Sequence, residues 1–300
     1  ANTNYRFILM AKAKTFFDVG TYTGNGGIYR VGVPTLRTAY NQQVARSLRL
    51  RGSNSAFLSR TSGTSTNQSI ATLSFWLKGN PSIGSVQYAI WCNTSNNGMV
   101  AWNNVSYGGQ LFVRTDATND VRYTLLFRDP SKWYHVVVAV DTTQATGSNR
   151  VKVYIDGLLQ TATSGTASQN STNFNSSSTV FNIGKDMVNS YYLDGYLSEI
   201  YYIDGQQLAA SSFGEYNSDN IWMPKSYSGT YGTNGFYLNF SDNSGATATT
   251  IGKDSSGNSN NWTPSGISVT AGTTNDSLTD TPTDYGTDTG AGGEVRGNYC

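Results

Sequence analysis

Residues 131–160 read SKWYHVVVAVDTTQATGSNRVKVYIDGLLQ. WYHVVVAVD is apolar at odd and even positions alike. Such a run suits a strand covered on both faces and predicts the middle of a sheet. VKVYIDG alternates, with Val151, Val153 and Ile155 facing inward, as in a half-buried strand. Asp156-Gly157 then makes a hairpin turn. The only histidine, His135, lies inside the first run. There is no second histidine to share a metal and no nucleophile at motif spacing. His135 is therefore expected to be a packed or hydrogen-bonded part of the scaffold.

The same texture extends in both directions. In SLRLRG, Leu48 and Leu50 point one way, Arg49 and Arg51 the other. In ATLSFWLKG, Leu73, Phe75 and Leu77 alternate with Thr72, Ser74 and Trp76. QLFVRTD (110–116), RYTLLFRD (122–129), FNIGKD and YLDGYLSEIYYIDG add further strands, the last closed by Asp204-Gly205. No helical period is sustained; QQLAASSFG (206–214) suits one short helical turn. Short strands separated by turn-forming loops predict an antiparallel sandwich or barrel.

Composition agrees. Apolar residues make up 37% and aromatics 13%, with 32 glycines. Rings must then fill much of the core, and strands and turns are favoured over helices. Charged residues are 13% and the net charge is +1, which leaves no basic field for nucleic acid. No apolar run reaches the length of a membrane span. Cys92 and Cys300 lie too far apart in sequence to read as a disulfide framework and are expected as free thiols.

Four segments follow. Residues 1–45 form an irregular arm rich in Gly, Thr and Asn, with 1–9 a leader or attachment piece. Residues 46–208 hold the sandwich. Residues 209–270 form a β-rich extension packed on or following the sandwich, with strands at GFYLNFSD (235–242) and after the polar loop at 251–270. Residues 271–300 are poor in apolar side chains and are expected as a linker that leads to further sequence.

The order LSFWLKG, RDPSKWYHVVVAVD, VKVYIDG, FNIG, YLDGYLSEIYYIDG resembles the laminin-G-like, concanavalin A-like jelly roll over residues 46–208. A second resemblance runs through SRTSG (59–63), RDPSKWYH (128–135), DGQQLAASSFGE (204–215), WMPKSYSGTYGTNGFYLNFSD (222–242), GKDSSGNSNNW (252–262) and NDSLTDTPTDYG (275–286). These stretches are similar to structural proteins of marine tailed bacteriophages that carry a concanavalin A-like domain. In those proteins the GGEVRGNY stretch leads into a further domain. The resemblance implies an extracellular virion surface component of fibre type. Its partners would be other copies of itself, with a trimer as one form, other virion proteins and host surface polysaccharide.

The chemistry reads as binding. A glycoside hydrolase needs two carboxylates across the scissile bond. The glutamates here are Glu199, Glu215 and Glu294, and none has an acidic neighbour at two-residue spacing. No enzyme is expected. The oxygens of Asp254, Ser256, Asn258 and Asn260 recur on a Gly-containing loop, which suits calcium; an Asx-stabilised turn fits the same residues. Asp156 or Asp194 could join such a site at the sandwich rim. Sugar rings stack on exposed aromatics, and Trp91, Trp102, Tyr107, Tyr191, Tyr192 and Tyr196 lie in or beside Asn-rich loops. Core packing competes for the same rings. Two other readings remain open: an architectural head-fibre or capsid decoration protein, and a bacterial secreted or cell-surface glycan-binding module.

Overall fold

The computed structural model describes residues 42–79, 87–94, 97–103, 110–125, 127, 129–188, 191–217 and 219–283. The strands in chain order are β1 (Ser47–Leu50), β2 (Phe57–Thr61), β3 (Ile70–Lys78), β4 (Gln87–Asn93), β5 (Met99–Asn103) and β6 (Gln110–Arg114). They continue with β7 (Asp120–Tyr123), β8 (Trp133–Asp141), β9 (Val151–Ile155), β10 (Leu158–Leu159), β11 (Val180–Ile183) and β12 (Gly195–Asp204). The remainder are β13 (Gly214–Tyr216), β14 (Trp222–Pro224), β15 (Phe236–Leu238), β16 (Thr263–Ser265) and β17 (Ser277–Leu278).

Fifteen of them form two antiparallel sheets in a sandwich, and β13 and β14 pair as a separate hairpin. The 8-stranded sheet runs β10-β9-β8-β3-β12-β1-β17, with β15 also on β12; the 7-stranded sheet runs β16-β2-β11-β4-β5-β6-β7. β8 lies between β3 and β9 and is buried on both faces, as its unbroken apolar run demands. Asp156 (φ 47°) and Gly157 (φ 85°) both take the left-handed conformation that a tight hairpin turn requires. QQLAASSFG contributes a short 3-10 turn, Ala210–Ser212.

The core lies between the sheets. Leu73, Phe75, Leu77, Val136, Val138, Leu197 and Tyr202 from one face meet Leu58, Trp91, Val100, Trp102, Leu111, Val113 and Ile183 from the other. The reverse face of β3 is buried as well: Thr72, Ser74 and Trp76 are covered. The 3-10 turn and the β13–β14 hairpin pack over it, with Val137, Tyr201, Ile203, Ala210 and Phe213 as a second apolar cluster.

Residues 209–270 contribute strands to both sheets: β15 pairs with β12 and β16 with β2. The reading of the tail changes. Residues 271–283 are not a linker. β17 pairs with β1, and buried Asp276 accepts from Arg49 Nε at 3.0 Å and Arg51 Nε at 2.7 Å. Asp280 pairs with Lys78 and accepts from Trp133 Nε1 at 3.1 Å. Polar hydrogen bonds, rather than apolar area, hold this stretch, so its composition resembled a linker. Val44 N donates to Thr283 Oγ1 at 2.8 Å, which ties residue 44 of the expected arm to the same edge. Residues 1–41 and 284–300, and with them Cys300, lie outside the described residues.

Candidate functional site: an aromatic rim beside the β11–β12 loop

The loop from β11 to β12 leaves the sheet at Gly184, whose φ is 86°. A Cβ there would strike the Leu50 side chain. The loop is closed by backbone bonds from Asp186 N to Tyr191 O and from Leu193 N to Gly184 O, each 2.9 Å. Buried Asp186 braces it by accepting from Val188 N at 2.8 Å. These bonds fix the loop's direction and turn its side chains outward: Val188 is 65% exposed and Tyr191 37%.

The Lys185 ammonium sits 4.7 Å from the Phe57 ring and 5.6 Å from that of Tyr192. The two rings are 6.2 Å apart and tilted by 48°. A cation held between ring faces is attracted by their quadrupoles and stiffens both. Exposed Asp194 accepts from Gly52 N at 2.6 Å, which joins the β1–β2 turn to the same rim. Tyr196 lies under Lys78, 5.9 Å from ring centroid to nitrogen. Rings, an ammonium and a carboxylate thus share one edge of the sandwich, where they can meet both the apolar and the hydroxylated sides of a ligand.

Among the residues expected to stack on sugars, Tyr192 lies at this cation and Tyr191 is its neighbour on the same loop, while Tyr196 stands apart on β12 against Lys78. Trp91 and Trp102 lie elsewhere: they are 2% and 0% exposed and belong to the core. Trp91 stacks on Phe181 and Tyr202, each at 4.6 Å. A β-bulge between Ala89 and Trp91 causes this. By simple alternation these two share a face; the bulge inverts the parity, leaving Ala89 outside and Trp91 inside. Trp102 packs edge-on against Phe127 at 4.9 Å. Tyr107 lies outside the described residues. Sequence reasoning missed Phe57 and Lys185, which carried no local signal: strand pairing alone brings them to Tyr192.

The calcium reading does not fit the geometry. Asp254 Oδ1 accepts from the backbone of Tyr237 and Ser256, and Oδ2 from Asn260 N and Ser256 Oγ, all within 2.8–2.9 Å. Asn258 and Asn260 turn their NH2 groups to the carbonyls of Gly232, Thr233 and Gly235. A cation at these oxygens would meet donor hydrogens, so the loop is an Asx-stabilised turn. Asp156 is likewise committed, to His135 N and Lys132 Nζ at 2.8 Å each. Among the described residues no three His, Cys, Asp or Glu side chains gather as a metal set.

His135 is scaffold. Trp222 Nε1 donates to Nδ1 at 2.9 Å, so Nε2 carries the proton and donates to Ser74 Oγ at 2.8 Å. Burial lowers its pKa to about 3 and keeps it neutral. Cys92 is buried, and desolvation raises its thiol to about 12.

Residues 51–210 match the family described as the Concanavalin A-like lectin/glucanases superfamily. The chain belongs to that family. Among solved structures it is similar to a carbohydrate-binding candidate from Bacteroides ovatus ATCC 8483, at 14% identity and a TM-score of 0.50. That match covers 74% of this chain and 58% of the other, so the chain spans little more than half of its relative's length. It is also similar to a heptameric SAP-like pentraxin from Limulus polyphemus (14% identity, TM-score 0.42, 55% and 78% covered). A third match is mouse laminin α1 domains LG4-5 (15% identity, TM-score 0.39, 67% and 50% covered). At these identities the first likeness bears on the fold alone. No curated protein matches the chain.

Proposed function

We propose that this chain is a non-enzymatic glycan-binding protein of a tailed-phage virion surface, fibre-like in role, whose rim contacts host surface polysaccharide. The observation that carries the binding reading is the Lys185 ammonium held between the Phe57 and Tyr192 rings, with exposed Tyr191 and Asp194 close by in the chain, on a lectin-family sandwich. Rings offer flat apolar faces to sugar C–H groups, and the charged pair serves the hydroxyls. The Bacteroides relative is assigned to carbohydrate binding, in keeping with this reading. The non-catalytic part is supported by the burial of Glu199 among tyrosines, which leaves it no partner carboxylate across a cleft. The virion part is supported by the ordered series of phage-like stretches along the chain.

One such rim binds weakly. Linked copies in a homo-oligomer, such as a trimer, would raise the avidity. A purely architectural head-fibre or decoration role has one observation in its favour. Leu158 and Leu159, 62% and 59% exposed, lie on β10 at the end of its sheet and would suit contact with a neighbour.

The test is a glycan array probed with the whole chain, repeated with Tyr191→Ala and Tyr192→Ala. Loss of array binding in both variants, with unchanged melting, is the expected result. An array blank for the native chain removes the glycan role. Antibody labelling of intact particles tests the virion: labelled fibres support it, and unlabelled particles leave a secreted or cell-surface module.

A further inference from the structure

The β13–β14 hairpin and the 3-10 turn before it enclose a cleft that the sequence did not announce. Its volume is about 390 Å³, toward the lower end for small-molecule sites of about 300–1,000 Å³. Its lining includes Tyr154, Ala209, Ser211, Glu215, Tyr216, Trp222 and Lys225.

Trp222 is a fixed platform. Its indole N–H is held by buried His135, and the two rings stack at 5.9 Å. Gly157 and Gly214 press on its benzo ring: a Cβ on Gly157 would lie 2.5 Å from it, and one on Gly214 would also clash. Ring and backbone therefore need no reordering when a ligand arrives, which lowers the entropic cost of binding. Tyr216 stands 70° to the indole at 4.8 Å, and its hydroxyl is anchored to Asp156 O at 3.1 Å. The two rings make a rigid corner with apolar faces. Glu215 and Lys225 bring an acceptor and donors to the same cleft, and Lys225 is steadied on Ser211 O at 3.1 Å.

An apolar corner with polar groups of both kinds beside it is complementary to a ring with C–H groups on its faces and hydroxyls around its edge. We propose that this cleft is a second ligand site, taking a β-gluco-configured pyranose with its C–H face on Trp222 and Tyr216 and its equatorial hydroxyls on Glu215 and Lys225. Equatorial substitution leaves both ring faces free of hydroxyls, which suits a flat indole better than an axially substituted sugar. Among the described residues lining the cleft, Glu215 is the one carboxylate, and hydrolysis of a glycosidic bond calls for two. The cleft shares no residue with the β11–β12 rim and stands or falls without it.

The experiment is a titration of the whole chain with cellobiose, followed by the Trp222 indole N–H resonance, with methyl α-mannoside as the axial comparison. The expected result is a saturable shift of that resonance at millimolar cellobiose and a weaker one with the mannoside. Tyr216→Ala and Glu215→Gln should each weaken cellobiose about tenfold, the loss of one stacking contact or one charge-assisted hydrogen bond. Leu158→Ser, on the neighbouring β10, should leave the affinity unchanged. Trp222→Phe is the harsher variant, and its fold is checked by melting. A flat Trp222 resonance at about 10 mM cellobiose overturns the proposal. So does cellobiose binding that survives both Tyr216→Ala and Glu215→Gln. Shifts that follow protein concentration instead of sugar would make the cleft a self-association face and also overturn it.

Discussion

The two faces of the central strands β3, β8 and β12 of the 8-stranded sheet are both buried, and by different means. The inner face is hydrocarbon: Leu73, Phe75, Leu77, Val136 and Val138 pack against the other sheet. The outer face of the same strands carries Ser74, Trp76, His135, Glu199 and Tyr201. Several of its polar atoms bond to one another. His135 joins Ser74 to Trp222, and Glu199 accepts from Tyr201 at 3.2 Å, from Tyr237 at 2.6 Å and from Gln42. Tyr201 and Tyr237 stack at 4.2 Å, nearly parallel. An apolar face needs only volume and shape. A polar aromatic face needs every donor matched, and it acquires a dependence on pH that the inner face lacks.

The comparison breaks most sharply at Trp91. Trp91→Ala opens a cavity among Phe181, Tyr202 and Phe236 and should cost about 3–5 kcal/mol in denaturant unfolding, with no pH dependence. A loss under about 1 kcal/mol would mean the inner face is not close-packed.

Glu199 sharpens it next. Burial raises its pKa to about 7 against the hydrogen bonds of Tyr237, Tyr201 and Gln42. The unfolded value is about 4.3, so the folded state holds the extra proton and stability is lost as pH rises from there through 7. Glu199→Gln should be more stable than the native chain by about 3 kcal/mol at pH 8 and equal to it near pH 4. His135 has the opposite sign. Held to about 3, it is neutral in both states above about 6.5, and its contribution is lost as pH falls below that. The two slopes oppose each other between about pH 4.3 and 6.5 in the native chain. With Glu199→Gln the His135 slope should appear alone, about 1.4 kcal/mol per pH unit. Parallel pH curves for the native chain and Glu199→Gln would refute the buried carboxyl.

A smaller effect is expected where the tail covers the outer side of β1. Asp276→Ala removes the acceptor shared by Arg49, Arg51 and Ser268 N and should cost about 2 kcal/mol. Early exchange of amides at 276–283 would accompany it; unchanged protection there would show that other bonds hold the tail. The smallest change is Tyr191→Ala at the exposed rim, within about 0.5 kcal/mol in stability whatever its effect on ligand.

The elements legible in the sequence were those governed by period and turn chemistry. β3, β8, β9 and the Asp156-Gly157 turn stand where alternation and left-handed backbone placed them. RYTLLFRD gave a shorter strand than expected, because β7 ends at Tyr123. Of the expected sugar-stacking residues, Tyr191 and Tyr192 lie on the β11–β12 loop and Tyr196 on β12, while Trp91 and Trp102 went to the core. Aromatic rings suit both places equally, and the bulge in β4 that decides for Trp91 has no mark in YAIWC.

By itself the sequence determined the strand texture, the central place of β8 and the structural role of His135. Each follows from local chemistry: which side chains alternate, which turns need left-handed backbone, which residue types are absent. Only the tertiary structure decided that the outer face of β3 is covered and that Asp276 folds the tail back. It also decided that Phe57 and Lys185 meet Tyr192, and that Trp222 lines a cleft on His135. Apart from Lys185 and Tyr192, which share one loop, those contacts join residues 61 to 227 positions apart, and no local pattern encodes a partner at that separation. Strand pairing and bulges choose it, and they settle only when the whole sandwich closes.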